Sequence, residues 1–419
     1  MSKPVANLHT SPPQHSLSVD QAREQIFSLL PVIQGDESVA IRSALDRYLA
    51  RPIVSAVDVP SHTNSAMDGY AIRGADIPAD GQTELHLIGS ALAGHAYPGT
   101  VQAGECVRIT TGAMVPEGCD SVVPQEDVEA RGERILISSH ARPGAHVRQA
   151  GEDIRRGSDV FTPGHKLRPA DIGLLASLGI SEVKVKRPIR VAFFSTGDEL
   201  RSIGEPLKEG EVYDSNRYTL YSMLTKMGCQ VIDMGVVADS PDAIRTAFRE
   251  ASEIADVILT SGGVSVGDAD YVKMVLNELG KIRFWKIKMK PGRPLAFGQL
   301  GKAVFFGLPG NPVAVMVTFY QFVRPALRKM QGEQDITDLK FNAITATALK
   351  KTEGRTEFLR GSLTLDPQGR LVVHSTGPQG SGILSSMARA NCFIVMSEQQ
   401  ASIEAGESVE VQPFDNLYS

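Results

Sequence analysis

Three segments combine glycine with hydroxyl side chains in a way that suits binding of phosphate oxygens. They are Ser195-Thr-Gly-Asp-Glu199, Ser261-Gly-Gly-Val-Ser-Val-Gly-Asp-Ala-Asp270 and Leu308-Pro-Gly-Asn-Pro312. Glycine lets the backbone approach a ligand, and free N–H groups and hydroxyls can bond its oxygens. Each segment alone could equally be an ordinary turn. No Walker A sequence and no GxGxxG after a strand occurs, which disfavours an ordinary ATPase or a dinucleotide dehydrogenase.

A run of lysines lies between the second and third of these segments. Lys286, Lys288 and Lys290 are two residues apart, so on a strand they would share one face. Against a formal net charge of -5 they form a concentrated positive ridge that leads into Pro291-Gly-Arg293. The spacing predicts an anion-binding strand. A solvated edge strand protected from aggregation by lysines is the alternative.

Two acidic motifs come from an earlier part of the chain. Asn64-Ser-Ala-Met-Asp-Gly-Tyr70 and Gly151-Glu-Asp153 offer carboxylates that could hold Mg²⁺ through oxygen or orient water. Asp-Gly is also a common turn and Gly-Glu-Asp a common solvated bend, so neither motif alone indicates a site.

The bulk composition narrows the class of protein. With 419 residues, 42% of them apolar and 22% charged, a soluble globular protein of two to four domains is expected. The negative net charge argues weakly against duplex nucleic acid as a partner. Four scattered cysteines, nine histidines without HExxH and no long apolar run predict a cytoplasmic protein without a membrane span or a zinc-hydrolase site.

The elements that must position these residues change in type along the chain. A disordered tail is expected for residues 1–17. A capping box at Ser18 begins a helix from Val19 to Leu30, and a second amphipathic helix is predicted from Ser38 to Leu49. Glycine and proline turns then separate short β-rich runs between Ile53 and Val185, namely Glu84–Ile88, Cys106–Ile109, Ser121–Val123 and Ile135–Ser138.

From Pro188 to Met330 strands alternate with helices. This pattern predicts an α/β domain in which a parallel sheet carries helices on both faces. Asn311 is predicted to cap, and Pro312 to open, a helix that runs to about Met330. Because ligands bind at the carboxyl ends of parallel strands, the three glycine segments should meet at one edge. Short strands from Ile336 to Ser419 predict a small terminal β-barrel or sandwich.

Taken together, these motifs resemble the molybdopterin molybdenumtransferase family, which includes the larger C-terminal part of gephyrin. The resemblance runs from about Ser18 to Phe414. It rests on the motifs given above and on four further or extended segments, Asn64–Ala71, Arg108-Ile-Thr-Thr-Gly-Ala113, Phe194–Leu200 and Lys290-Pro-Gly-Arg-Pro294. Some segments, such as Ser-Gly-Gly, are shared with related pterin-binding domains, whereas the full ordered set is more specific.

The resemblance implies a fold as well as a function. The expected fold class is α/β plus β-rich domains, with a three-layer molybdopterin-binding α/β domain and a C-terminal small β-barrel. The implied domains are an elongated first domain (residues 18–60 with 150–187), an inserted β-rich domain (61–149), the α/β domain (188–335) and the C-terminal β domain (336–419). The family forms a homodimer, with each site between the α/β domain of one subunit and the first two domains of the other.

The implied reaction joins adenylylated molybdopterin with molybdate and releases AMP, with Mg²⁺ as cofactor. The roles carried over fall into three sets. The catalytic set is Asp68, Asp153, Glu199, Lys286 and Lys290. The metal set is Asp239, Asp270 and Glu199. The substrate-binding set is Thr111, Arg148, Ser195, Thr196, Gly197, Ser261, Gly262, Gly263, Ser265, Arg293, Pro309, Gly310, Asn311, Pro312 and Ser381.

The sequence departs from the family pattern at three places. His62-Thr63 replaces an aromatic-Asp pair, Arg148-Gln-Ala thins a basic run, and Arg293 stands where lysine is common. A molybdopterin adenylyltransferase and a non-catalytic scaffold of the same fold are the alternative functions. Molybdopterin adenylyltransferase and molybdoenzyme-maturation proteins are candidate docking partners.

Overall fold

The computed structural model describes residues 16–263 and 271–414, apart from the side chain of Phe284. Within these residues the chain forms two compact units. The larger unit contains residues 16–37, 46–48, 186–263 and 271–414, and the smaller unit contains residues 38–45 and 49–185. Most of the expected tail lies outside the described residues. Leu17, also assigned to that tail, instead pairs with Ile287 in the larger unit.

The first part of the chain contributes one helix to the larger unit and then the elements found wholly or mostly in the smaller unit. Their bounds are α1 Val19–Leu29, β1 Asp36–Ala40, β2 Ile53–Val54, β3 Asn64–Ser65, β4 Gly69–Ile72, β5 Gln82–Ala91, β6 Glu105–Ile109, β7 Ser121–Pro124, β8 Val128–Arg131, β9 Arg134–Ser138, β10 Val147–Arg148, β11 Asp159–Phe161, α2 Pro169–Ser177 and β12 Glu182–Lys186.

The capping box predicted at Ser18 is confirmed. The Ser18 hydroxyl accepts a hydrogen bond from the Gln21 amide at 3.1 Å, and the Gln21 side chain accepts one from the Ser18 amide at 3.0 Å. These bonds satisfy two amides that would otherwise be unpaired at the start of α1. Ala22 and Ile26 are fully buried in the core of the larger unit.

The second helix, predicted from Ser38 to Leu49, is wrong. Asp36–Ala40 is strand β1, which pairs with β12, and Ile41–Ser43 is a single 3₁₀ turn. Exposure alternates along β1, and Val39 packs against the buried cluster that contains Leu49 and Val185. A short apolar pattern fits either period, and here pairing with a distant strand decides in favour of β structure.

The smaller unit is built around a six-stranded sheet in the order β7-β4-β6-β5-β9-β8. All neighbouring pairs are antiparallel except β5 and β6. Each face of the sheet carries its own apolar cluster. A third cluster joins α2 to residues on either side of the sheet region in sequence. The predicted β-rich character of this region is confirmed.

The rest of the chain belongs to the larger unit. Its elements are β13 Arg190–Thr196, β14 Leu200–Arg201, β15 Val212–Tyr213, α3 Ser215–Lys226, β16 Gln230–Val237, α4 Pro241–Ile254, β17 Val257–Ser261, α5 Tyr271–Leu279, β18 Lys281–Lys286, β19 Met289–Lys290, β20 Pro294–Leu300, β21 Ala303–Leu308, α6 Pro312–Thr318, α7 Arg324–Met330, β22 Phe341–Thr345, β23 Thr356–Leu365, β24 Leu371–Ser375, α8 Leu384–Ala388, β25 Cys392–Met396 and β26 Ser408–Pro413.

The larger unit contains the predicted three-layer α/β arrangement. Its sheet has the order β16-β13-β17-β21-β20-β18, with the first four strands parallel. Consecutive residues of β13 face opposite layers, since Phe193 lies in one core cluster and Phe194 in the other. The prediction of a parallel sheet is confirmed for the first four strands but wrong for the last two. Strand β20 pairs antiparallel with β21, and β18 pairs antiparallel with β20. A short turn at Gly301 joins β20 to β21, so no crossover helix is needed between them.

The helix predicted from Pro312 to Met330 is interrupted. A π-helical segment at Phe319–Val323 separates α6 from α7, and the Asn311 side chain makes no capping hydrogen bond. Pro325 lies in the first turn of α7, where its missing N–H explains a local change of helical hydrogen bonding.

The C-terminal strands form a closed five-stranded barrel, as predicted. The ladder β23-β24-β22-β26-β25 returns to β23 through the pairing of β23 with β25. The short strand β19 adds to β23 from outside and connects the barrel to the chain that leaves the α/β sheet. Closure leaves the five barrel strands without a free edge.

Candidate functional site

The glycine-bearing loops meet at one cavity of the larger unit, with a volume of about 520 Å³. Loops after β13, β17 and β21 form one side, as expected for the carboxyl ends of parallel strands. The chain after β19 and a loop of the barrel region form the other. The lining residues are Thr196, Glu199, Gly262, Gly263, Lys290, Pro291, Gly292, Pro294, Pro309, Gly310, Asn311, Ala314, Gln379, Gly380 and Ser381.

Gly263 shows why the second loop needs glycine. It has φ +66°, and a Cβ at this position would lie 2.3 Å from Cγ2 of Val272. A side chain would therefore be strained by its backbone conformation and would also clash with helix α5. The loop can pass this close to the helix only without a side chain.

Asn216 joins the second and third loops, and the sequence analysis missed it. Its side-chain amide donates to the Ser261 hydroxyl at 2.8 Å and to the Gly310 carbonyl at 2.7 Å. The Gly262 amide adds a bond to the Leu308 carbonyl at 3.1 Å. The position of Asn216 at the start of α3, just after the capping Asp214, could have drawn attention to it. Its contacts with two distant loops could not be read from the sequence.

Lys286, Lys288 and Lys290 share one face, as predicted, but they do not lie on a single strand. Strand β18 ends at Lys286, and the buried residues Ile287 and Met289 alternate with the three lysines. Lys288 lies 3.7 Å from Glu398, and Lys290 lies 3.4 Å from the buried Glu357. The charge is therefore less concentrated than predicted, because two of the three lysines have carboxylate partners. Only Lys290 lines the cavity.

Arg360 is a second residue that the sequence analysis missed. Its side chain is fully buried, and burial lowers its pKa to about 10. It donates to the Gly380 carbonyl at 3.1 Å and to the Ser386 hydroxyl at 3.0 Å. Its own amide donates to the Gln379 side chain at 2.8 Å. A positive charge therefore lies directly beneath the cavity wall. The signal was an arginine inside the apolar run Phe358–Leu365.

Several predicted binding residues do not line this cavity. Ser195 is fully buried beneath the first loop, and its hydroxyl has no hydrogen-bond partner among the described residues. Arg293 is exposed, and its carbonyl accepts a bond from the Ile287 amide at 2.7 Å. The other predicted binding residues outside the lining are Thr111, Arg148, Gly197, Ser261 and Pro312, and the predicted catalytic residue Lys286 also lies outside it. Ser265 and Asp270 lie outside the described residues.

Carboxylates cluster beside the first loop. Burial raises the pKa of Asp239, and the neighbouring charges of Asp198 and Glu199 raise it further. In the described part of the chain, no three His, Cys, Asp or Glu side chains come together in metal-binding geometry. Two carboxylates and the oxygens of a phosphate-bearing ligand are the kind of donor set that Mg²⁺ accepts, so these residues fit that ion.

Asp68 has well-defined partners in the smaller unit. Its carboxylate accepts hydrogen bonds from the Thr111 amide at 2.7 Å and from the Thr111 hydroxyl at 2.8 Å. These two bonds, with a weaker contribution from the Arg108 charge, lower the pKa of the exposed Asp68. The pairing of Asp68 with Thr111, which the sequence could not reveal, keeps an ionised carboxylate at the surface of this unit.

Arg148 ends strand β10, and Asp153 follows in a turn that bonds the segment before Asn64. The Asp153 amide donates to the Val59 carbonyl at 3.0 Å, and Arg148 pairs with Asn64 across strands β10 and β3. The departures noted above contact each other here, because the Ala150 amide donates to the Thr63 hydroxyl at 3.3 Å. The Arg148 and Asp153 side chains are exposed.

Comparison with known protein families covers nearly the whole chain. Residues 17–179 match the MoeA N-terminal region (domain I and II), residues 192–329 a probable molybdopterin binding domain, and residues 342–414 the MoeA C-terminal region (domain IV). None of the helices in the described residues is long and apolar enough to cross a membrane.

Full-length relatives carry the same combination. The chain is 43% identical to a molybdopterin molybdenumtransferase of Haemophilus influenzae, over 96% of this chain and 99% of that protein. It is 33% identical to gephyrin of Dictyostelium discoideum, over 95% of this chain and 62% of that protein. A crystal structure of the molybdopterin biosynthesis MoeA protein from Pyrococcus horikoshii superposes with a TM-score of 0.84 at 30% identity, covering 96% of this chain and all of that one. The chain belongs to the molybdopterin molybdenumtransferase (MoeA) family.

Proposed function

We propose that this protein inserts molybdenum from molybdate into adenylylated molybdopterin, releases AMP and produces molybdenum cofactor. The observation that best supports this is the cavity in which three glycine-bearing loops meet Lys290 and Ser381. Backbone amides, hydroxyls and a lysine are the groups that bind phosphates and tetrahedral oxyanions. The names of the relatives support the same reaction.

The cavity residues and the residues predicted for catalysis have separate roles in this proposal. The amides of the glycine loops and the Thr196 hydroxyl bind the phosphate groups, while Lys290 and Ser381 bind molybdate. Arg360 adds positive potential from beneath the wall without touching the ligand. Asp68, Asp153, Glu199 and Lys286 act at the reacting centre.

The dithiolene sulfurs of the substrate supply the metal ligands, so the protein needs no thiolate. Burial raises the pKa of each of the four cysteines, Cys106, Cys119, Cys229 and Cys392, to about 12. Their thiols stay protonated at neutral pH and are poor metal ligands in that form.

Mg²⁺ is the proposed cofactor, held by Asp239 and Glu199, with Asp270 as the third predicted ligand. When bound, the ion neutralises charge that develops on the pyrophosphate as AMP leaves. The chain's own contribution is to keep Asp239 and Glu199 close enough for their charges to interact.

AMP release from adenylylated molybdopterin, measured with and without molybdate and Mg²⁺, tests the proposal. We expect release that depends on both and that yields molybdenum cofactor able to activate an apo-molybdoenzyme. Adenylylation of molybdopterin by ATP without molybdate would instead show an adenylyltransferase. If folded protein catalysed neither molybdenum insertion nor adenylylation, the scaffold alternative would be supported.

We also propose a cytoplasmic homodimer whose two subunits each complete the other's site. Exposed apolar side chains of β15 and α3 support self-association, since Val212, Tyr213, Tyr218 and Tyr221 are 43–50% exposed. A dimer mass by light scattering is expected for the wild type, and a monomer for Tyr218→Glu combined with Tyr221→Glu. A fully active wild-type monomer would contradict the dimer.

A further inference from the structure

We propose that Arg108 is the positioning residue for Asp68. It fixes the backbone next to Asp68 through Tyr70 and Gln125 and places a positive charge near the carboxylate. The inference rests on the proposed function only in giving Asp68 a part in the reaction.

Strand register brings Arg108 to Tyr70. The two residues lie opposite each other on β6 and β4, and Val123 of β7 flanks Tyr70 on the other side. The Arg108 guanidinium donates to the Tyr70 hydroxyl at 3.2 Å and lies 5.1 Å from the centre of its ring. A second N–H of the guanidinium donates to the Gln125 side chain at 2.5 Å. One side chain therefore fixes Tyr70 of β4 and Gln125, the first residue after β7.

Gln125 carries this constraint to Asp68. Its backbone amide donates to the Asp68 carbonyl at 3.1 Å. The next residue, Gly69, is packed so closely that a Cβ there would lie 2.1 Å from the Val123 carbonyl oxygen. The main chain at Asp68 is thus held against β7, and Arg108 holds the Gln125 side chain at the end of that strand.

The carboxylate of Asp68 depends on the Arg108 strand as well. Thr111, which donates both hydrogen bonds to that carboxylate, follows Arg108 by three residues and lies two residues beyond the end of β6. Among the described residues Arg108 has no carboxylate within salt-bridge distance, and the neighbouring charged group is Glu126, whose carboxylate accepts a hydrogen bond from the Gln125 side chain at 3.3 Å. The same residue therefore influences the place and the charge of the Asp68 side chain.

The main test compares Arg108→Met with Arg108→Lys. Arg108→Met removes the charge and the fork of donors, and we expect AMP release at neutral pH to fall roughly tenfold, because small displacements of a reacting group are costly. The acidic limb of its pH–rate profile should move to higher pH, because loss of a nearby positive charge makes Asp68 harder to ionise. Arg108→Lys keeps the charge, so its rate should fall while its acidic limb stays in place.

Two further variants separate positioning from general damage. Tyr70→Phe removes one hydrogen bond but keeps the ring, so we expect a smaller loss of rate and an unchanged limb. Arg134→Met is the matched control, because Arg134 lies on β9 of the same sheet and pairs only at 3.5 Å with the exposed Glu84. It should behave as wild type.

Folded Arg108→Met with wild-type rate and profile would overturn the proposal, as would an equal loss in Arg134→Met. If Arg108→Met fails to fold, Arg108→Lys decides, since a wild-type rate there also overturns it. A titration of the ¹³C carboxyl signal that disappears in Asp68→Asn adds a readout without turnover. If the wild type released no AMP but this signal titrated at higher pH in Arg108→Met, the proposed function would fail while the positioning role stood.

Discussion

The cavity of the larger unit and the Asp68 region of the smaller unit use different means to present polar groups. The cavity is lined largely by backbone at the ends of strands, with a buried arginine beneath one wall. The Asp68 region presents side chains on an exposed surface, each held by a neighbouring side chain or amide. The shape and the fixed backbone dipoles of the cavity suit binding of a large anion. The exposed and oriented carboxylate of Asp68 instead suits a part in the reaction of a bound ligand.

The largest effect should come from Asp68→Asn. The substitution keeps the shape but removes the charge, and we expect AMP release to fall about 100-fold, as for loss of a positioned acid–base group. Thermal stability should stay near wild type because the side chain is exposed. Asp80→Asn, at another exposed carboxylate of the same unit, is the control for rate and stability. A rate near wild type would remove Asp68 from the reaction.

Gly263→Ala should displace the second glycine loop, which lines the cavity. We expect a loss of about 2–4 kcal/mol in the free energy of unfolding, from backbone strain and a clash with Val272 together. Gly301→Ala is the matched control, because Gly301 has φ +60° and nothing within 4 Å of its would-be Cβ. It isolates the backbone strain. Chemical denaturation should show the larger loss for Gly263→Ala, and equal losses would contradict the close packing of the loop.

Asp256, in the larger unit, is a largely buried carboxylate that contributes to stability, in contrast to the exposed Asp68 of the smaller unit. Burial tends to raise the pKa of Asp256, but hydrogen bonds from Arg187 and the Arg190 amide outweigh it, and the net pKa is lowered. The two Arg187 bonds are 2.7 and 2.8 Å long. A carboxyl group with a lowered folded-state pKa stabilises the fold above its unfolded-state pKa, about 3.9, and loses this effect as the pH falls.

We therefore expect Asp256→Asn to lower the free energy of unfolding by about 2 kcal/mol at pH 7. The difference from wild type should shrink as the pH falls below about 4. Denaturant titrations across this pH range, with Asp80→Asn as control, measure it. A difference independent of pH would show that the ion pair is not its source. AMP release per folded molecule should be unchanged, unlike that of Asp68→Asn.

The smallest effect is expected for Lys290→Ala. Its half-exposed side chain already pairs with Glu357, so its removal should weaken binding of molybdate by only about fivefold to tenfold, or about 1 kcal/mol. Lys302→Ala, which removes an exposed lysine outside the cavity lining, should leave affinity unchanged. Calorimetry at moderate salt measures both. Equal affinities for wild type and Lys290→Ala would remove the lysine from the binding site.

Local patterns predicted much of the larger unit. The cap of α1, the alternation of strands and helices, and the meeting of three glycine loops at one edge follow from short-range signals and from the geometry of parallel sheets. The predicted helix from Ser38 to Leu49 failed because its partner, β12, lies about 140 residues away, at Glu182–Lys186.

Three residues that hold distant parts of the chain in place could not be predicted from the sequence for the same reason. Asn216, Arg360 and Arg108 bond groups that are distant in sequence or belong to other strands, and no local spacing indicates such partners. The division of Asp239, Glu199 and Asp270 between metal and substrate stays a prediction, as do the domain boundaries. Both depend on long-range geometry or on ligands.

The short strand β19 has a mechanical consequence. Its residues Met289 and Lys290 pair with Thr356 and Glu357 of the barrel, whereas the glycine loops opposite belong to the α/β sheet. The lysine is therefore anchored to the barrel, whereas the phosphate-binding amides are anchored to the sheet. The width of the cleft is set by how the barrel packs on the sheet, because Phe358 and Phe393 of the barrel share one buried core with Phe193 and Phe306 of the sheet.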